Sequence, residues 1–77
     1  MRPERTTVIL ENYEFVNEKI EQEIFKFFKT CGGTESRIKP LGADISFEFL
    51  SDTDADKFFE NVEKYLPYGV GRVLNYA

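Results

Sequence analysis

The stretch G-A-D-I-S-F-E-F, Gly42 to Phe49, decides the fold. Ala43, Ile45, Phe47 and Phe49 fall on one side, and Asp44, Ser46 and Glu48 on the other. Side chains of a strand point alternately to opposite faces. The stretch is therefore a strand with one apolar and one polar face. The apolar face requires helices to cover it. The polar face stays open, and a small sheet protein meets its partners there. In this chain that face is acidic and carries no aromatic ring.

Downstream, Ser51-Asp52-Thr53-Asp54 is rich in helix N-cap residues, and Thr53 with Asp56 has the spacing of a capping box. A helix over about 54–66 places Ala55, Phe58, Phe59, Val62 and Leu66 on one face, and Pro67 ends it. Tyr68-Gly69-Val70-Gly71 links this helix to a last strand, Arg72 to Tyr76. Upstream, Pro40-Leu41-Gly42 is a tight turn, preceded by a strand from Glu35 to Lys39. A helix from about Glu18 to Thr30 is read from the apolar stripe Ile20, Ile24, Phe27, Phe28 and Cys31, with Phe25 widening it. Asn17 is its N-cap, and Gly32-Gly33 stops it with the positive-φ residue helices often end on. Asn12 to Phe15 is a connector, and Thr7 to Glu11 is the first strand, with Val8 and Leu10 on one face. Residues 1–6 form a short flexible segment.

The order is βαββαβ. The expected fold class is α+β and ferredoxin-like: one domain over residues 1–77, a four-stranded antiparallel sheet with two helices packed on one face. A chain of this size buries only roughly 60% of its unfolded surface, so its core must be dense. Eight Phe and four Tyr supply that density.

With a single cysteine, Cys31, and no histidine, a disulfide framework, a Cys/His zinc site and a Cys–His nucleophile are excluded. Cys31 closes an apolar stripe and reads as a buried packing residue. A small fold without staples fits an intracellular compartment, nucleus or cytoplasm. Val8-Ile9-Leu10 is too short an apolar run for a signal-peptide core or a membrane span. The net charge of −4 argues against strong nonspecific binding to nucleic acid. No phosphate-binding glycine loop is present, and no cofactor is expected. Glu11, Asp44 and Glu48 share a face, but acid–base catalysis needs a pocket that shifts their pKa values, and an open sheet offers little concavity. The chain reads as non-enzymatic.

Five segments resemble the RNA-recognition motif (RRM) family, in the family's order and over nearly the whole chain. Val8-Ile9-Leu10-Glu11-Asn12-Tyr13 is similar to its hexapeptide RNP motif, and Gly42 to Phe49 to its octapeptide RNP motif. Phe25-Lys26-Phe27-Phe28 with Gly32 resembles its first-helix ending, and Asp54-Ala55-Asp56-Lys57-Phe58-Phe59 its second-helix start. Gly71 to Ala77 resembles its closing strand. The resemblance implies stacking of RNA bases on aromatic rings at two third-strand positions and one on the first strand. Those positions hold Asp44, Ser46 and Ile9, and none is aromatic. The octapeptide's leading basic residue is also missing, and the tight turn at 40–42 replaces a longer basic loop. Stacking contributes roughly 1–3 kcal/mol per base, so most of the usual RNA affinity is absent, and Asp44, Glu48 and Glu11 repel phosphates.

The expected function is therefore an RRM-like module for protein–protein interaction within an RNA-associated assembly, involved in RNA processing or a ribonucleoprotein. Its contact residues are Ile9, Glu11, Asp44, Ser46 and Glu48 on the open face, with apolar surface from Leu50 and Val73; Glu18, Glu21 and Glu23 on the first helix are a second place for a basic partner. The alternative is RNA binding through termini and edges by Arg2, Arg5, Arg37, Lys39, Arg72 and Tyr76. Homodimerisation through the open face is a third reading, leaving monomer or dimer undecided. Arg37 and Lys39 are expected to pair across strands with the row Asp44, Ser46, Glu48. Tyr76 is a core residue if Leu74 points inward, the arrangement the family pattern favours, and joins the open face if Val73 does. No metal and no membrane enter any of these readings. The chain opens on its first strand and closes on its last, as an excised domain or a minimal complete protein would.

Overall fold

The computed structural model describes residues 6–38 and 44–76. Strand β1 spans Thr6–Glu11 and runs into a single 3-10 turn at Tyr13–Phe15. Helix α1 spans Glu18–Thr30, β2 Glu35–Ile38, β3 Asp44–Phe49, α2 Asp52–Glu63 and β4 Gly71–Asn75. The strands form one antiparallel sheet in the order β2-β3-β1-β4, an α+β architecture. Lys39, the turn at 40–42 and Ala43 lie outside the described residues, as do Arg2 and Arg5.

Alternation sets the register. Val8 lies opposite Phe47 and Leu10 opposite Ile45, so the buried sets of the two central strands share a face. Both helices cover that face. Phe28 of α1 reaches Phe47 at 5.4 Å between ring centroids, and Phe58 of α2 reaches the same ring at 4.9 Å. Phe25 approaches Phe47 edge-on at 5.6 Å. Phe49 packs on Phe58 at 5.0 Å and on Phe28 at 5.8 Å. Burying each such ring contributes about 1.5–3 kcal/mol, and offset or edge-on ring pairs add about 0.5–1.5 kcal/mol. The density demanded by a short chain is met by this phenylalanine cluster. Cys31 sits half-buried against it, and burial pushes its thiol pKa up.

Helix α1 starts as expected: Asn17 is extended, and its side chain accepts a hydrogen bond from the Ile20 amide at 2.9 Å. At the other end the Gly33 amide donates to the Phe28 carbonyl (2.8 Å) and the Gly32 amide to Lys29 (3.2 Å). This is the paired bond pattern of a Schellman ending, with Gly32 in the left-handed region at φ 77°. The two glycines have separate roles. A Cβ on Gly33 would fall 2.2 Å from the Phe28 ring, so this position needs glycine for close approach.

Helix α2 departs from the expected boundaries. Its cap is Ser51, whose Oγ accepts from the Asp54 amide at 3.1 Å, and the helix begins at Asp52. Thr53 cannot be the cap because it already lies inside the first turn, while Ser51 is extended (φ −133°, ψ 149°) as a cap must be. The helix ends at Glu63, before Leu66, with Lys64 as its C-cap. Strand β1 begins one residue earlier than expected, because Thr6 is buried opposite Phe49 and its hydroxyl donates to Asp52 Oδ1.

Candidate functional site: the open sheet face

The register places the side chains of the uncovered face in rows. The first row is Glu35, Glu48, Thr7 and Asn75. The middle row is Arg37, Ser46, Ile9 and Val73. The third, from β3 outward, is Asp44, Glu11 and Gly71. The expected contact set Ile9, Glu11, Asp44, Ser46 and Glu48 is thus brought together on two neighbouring strands. Two like-charged pairs, Glu35–Glu48 and Glu11–Asp44, lie directly across strands. Such pairs are destabilising by themselves. Between them Ile9 and Val73 form a small apolar strip, Val73 37% exposed. No described position on this face carries an aromatic ring.

Arg37 does not take up the expected cross-strand pair. Its guanidinium holds Glu35, two residues back on its own strand, with Nε and Nη2 at 2.9 and 2.8 Å from Oε1. The residue across from it is Ser46, which has no charge to offer, whereas Glu35 shares its face and lies within reach. The Glu35 hydrogen bond and field raise the arginine's pKa, and Glu48 adds to this. Glu11 is exposed, and its carboxylate lies over Gly71: Oε1 is 2.7 Å from where a Cβ on that glycine would sit.

Strand β4 resolves the question of Tyr76. Leu74 lies opposite Val8 and faces the helices, so Val73 is on the open face. Tyr76 follows Leu74 to the helix side, yet it is no core residue. It remains 56% exposed, and its hydroxyl donates to Asp56 Oδ1 at 2.6 Å. Among the described residues, the partner it finds is a carboxylate on α2. That bond, with some burial, raises its pKa. Arg72 lies opposite Leu10, also away from the open face, with Nη1 3.6 Å from Glu63. Leu50 is exposed just past the end of β3. On α1, Glu21 is committed internally, accepting a 2.8 Å bond from the buried Tyr13 hydroxyl.

Two residues that sequence reasoning passed over as connectors stand out. Phe15 is 61% exposed and Tyr68 fully exposed. Both sit at the sheet end where β1 finishes and β4 begins. Asn12, in the left-handed region at φ 58°, ties the two connections together, donating from Nδ2 to the Gly69 carbonyl at 3.1 Å. The available signal was a large aromatic residue in a turn, outside any helical or strand period. Among the described residues, no group of three or more His, Cys, Asp or Glu is placed to hold a metal ion, and no helix is long and apolar enough to cross a membrane. No protein-family model matches the chain, and a search of curated proteins finds no match either.

Proposed function

We propose that this chain is a non-enzymatic, RRM-like module with a ferredoxin-like fold whose open sheet face binds a protein partner within an RNA-associated assembly. The strand order β2-β3-β1-β4 with both helices on one face supports the fold assignment. One observation carries the functional reading: the described positions of the open sheet face hold no aromatic ring, and carboxylates occupy the rows on either side of Ser46 and Ile9. Ser46 and Ile9 are direct neighbours across β3 and β1, where stacked bases would lie, and carboxylates flank them on both sides. Without rings the face lacks roughly 1–3 kcal/mol per stacked base. With its acids and the Ile9–Val73 strip it is complementary to a polypeptide that brings positive charge and an apolar side chain.

The edge-binding alternative is less well supported. Its two described cations, Arg37 and Arg72, already pair with Glu35 and Glu63, and Tyr76 is bonded to Asp56. An NMR titration of the isotope-labelled chain with single-stranded RNA pools tests the reading. The expected result is no saturable shift on the open face. Micromolar binding centred on Ile9, Asp44 and Ser46 would overturn it.

A further inference from the structure

We propose that the sheet end beside β4 is a seat for an arginine side chain of the protein partner, with the Tyr68 ring as its stacking wall and the Glu11 carboxylate as its counter-charge. The inference rests on the open face being a protein-binding surface and names the chemistry recognised there.

The segment Leu66–Arg72 lines an open depression of about 550 Å³. Its shape is held by the Asn12–Gly69 hydrogen bond and by the Phe15 ring, which comes within 3.9 Å of where a Cβ on Gly69 would sit. Tyr68 lines the depression and is fully exposed, so its ring is open to a ligand. Gly71 lines it as well, and the Glu11 carboxylate lies over Gly71. No ion pair or hydrogen bond engages Glu11 among the described residues. The one cation of the lining segment, Arg72, is directed to the helix side, towards Glu63. The depression therefore has an exposed ring in its lining and a carboxylate over its Gly71 end.

A guanidinium satisfies both features, because its plane stacks on a ring while its edge forks to a carboxylate. A lysine ammonium matches the charge and lacks the stacking plane. A nucleic-acid backbone would meet repulsion from the carboxylates.

The test is fluorescence anisotropy on the whole chain with a labelled peptide of repeated Arg-Gly units, beside Lys-Gly and Glu-Gly counterparts. The arginine peptide is expected to bind more tightly than the lysine peptide, and the glutamate peptide not at all. Tyr68→Ala and Glu11→Gln should each weaken arginine binding by roughly three- to ten-fold. Both positions are exposed, and circular dichroism would check that the variants stay folded. Unchanged binding in both variants, equal affinity for lysine and arginine, or no arginine binding would overturn the seat. Arginine binding lost in Ile9→Lys but kept in Tyr68→Ala and Glu11→Gln would remove the seat and leave the sheet-face reading standing. Saturable RNA binding centred on Ile9 and Ser46 in the NMR titration would remove both.

Discussion

Replacing Gly33 with alanine should destabilise the protein, although an exposed helix end ordinarily tolerates that change. The added methyl would lie 2.2, 2.3 and 2.8 Å from Cε1, Cδ1 and Cγ of Phe28, inside any real contact distance. Phe28 has little freedom to retreat. Its ring packs against Phe25, Phe47, Phe49 and Phe58 at centroid distances of 6.2, 5.4, 5.8 and 6.3 Å. Forcing extra volume into such a core costs about 1–3 kcal/mol. Removing a glycine's freedom in the unfolded chain returns only about 0.4–1 kcal/mol. At mid-range values the net loss is about 1.3 kcal/mol. With a urea slope near 1 kcal/mol per molar for a domain this small, the midpoint should fall by about 1 M. The measurement is urea denaturation followed by far-ultraviolet circular dichroism. Gly32→Ala should cost about 1–2 kcal/mol for a different reason, since φ 77° penalises any Cβ. Phe28→Leu distinguishes the two causes. It should shrink the penalty of Gly33→Ala and leave that of Gly32→Ala unchanged, a coupling readable in a double-mutant cycle. A Gly33→Ala protein as stable as wild type, or no coupling to Phe28, would refute the reasoning.

Further outcomes follow from the same packing. Phe47→Ala removes the ring at the centre of the cluster and should cost about 3–5 kcal/mol. That is a large share of the roughly 4–12 kcal/mol a chain of this length holds, so thermal melting should fall steeply or vanish. Ser51→Ala should cost about 1 kcal/mol by removing the α2 cap, whereas Thr53→Ala should be near neutral, each measured by urea midpoint. Burial, with the hydrogen bond to Glu21 and that carboxylate's charge, pushes the Tyr13 phenol pKa well above its ordinary value. A group whose pKa is raised on folding stabilises the fold below its unfolded pKa, about 10, and loses that contribution as the pH climbs beyond it. Wild-type stability should therefore decline above about pH 10, and Tyr13→Phe should decline less, when urea midpoints are compared across that range. Parallel slopes would contradict the assignment.

The elements were legible in the sequence wherever one periodicity acted alone. The alternation of Ile45, Phe47 and Phe49 and the stripe Ile20, Ile24, Phe27, Phe28 each require a covered face, and one sheet with two helices satisfies both. The open-face set was legible for the same reason, because a period of two assigns Asp44, Ser46 and Glu48 as soon as Phe47 is inward. Contacts decided by register were not legible. Arg37 meets Ser46 across the strand and so turns to Glu35, a choice that depends on which residues of β2 and β3 stand opposite. The start of α2 was hidden by consecutive capping residues, Ser51 to Asp54, among which only backbone geometry selects. Gly33 read as a stop signal, and its close approach to Phe28 exists only once the ring cluster is assembled. Phe15 and Tyr68 were passed over because turns carry no periodicity to mark an outward ring.

The central claim is that the open face is an RNA-type platform emptied of its rings, and one measurement bears on it most directly. It is the anisotropy of a labelled single-stranded RNA pool titrated with the wild-type chain and with the double variant Ile9→Tyr, Ser46→Phe. Those positions are direct neighbours across β1 and β3. Two restored stacking contacts at roughly 1–3 kcal/mol each would raise affinity by about thirty-fold or more. The account predicts no saturable binding by the wild type and measurable binding by the variant. Micromolar binding by the wild type, unchanged in the variant, would contradict it.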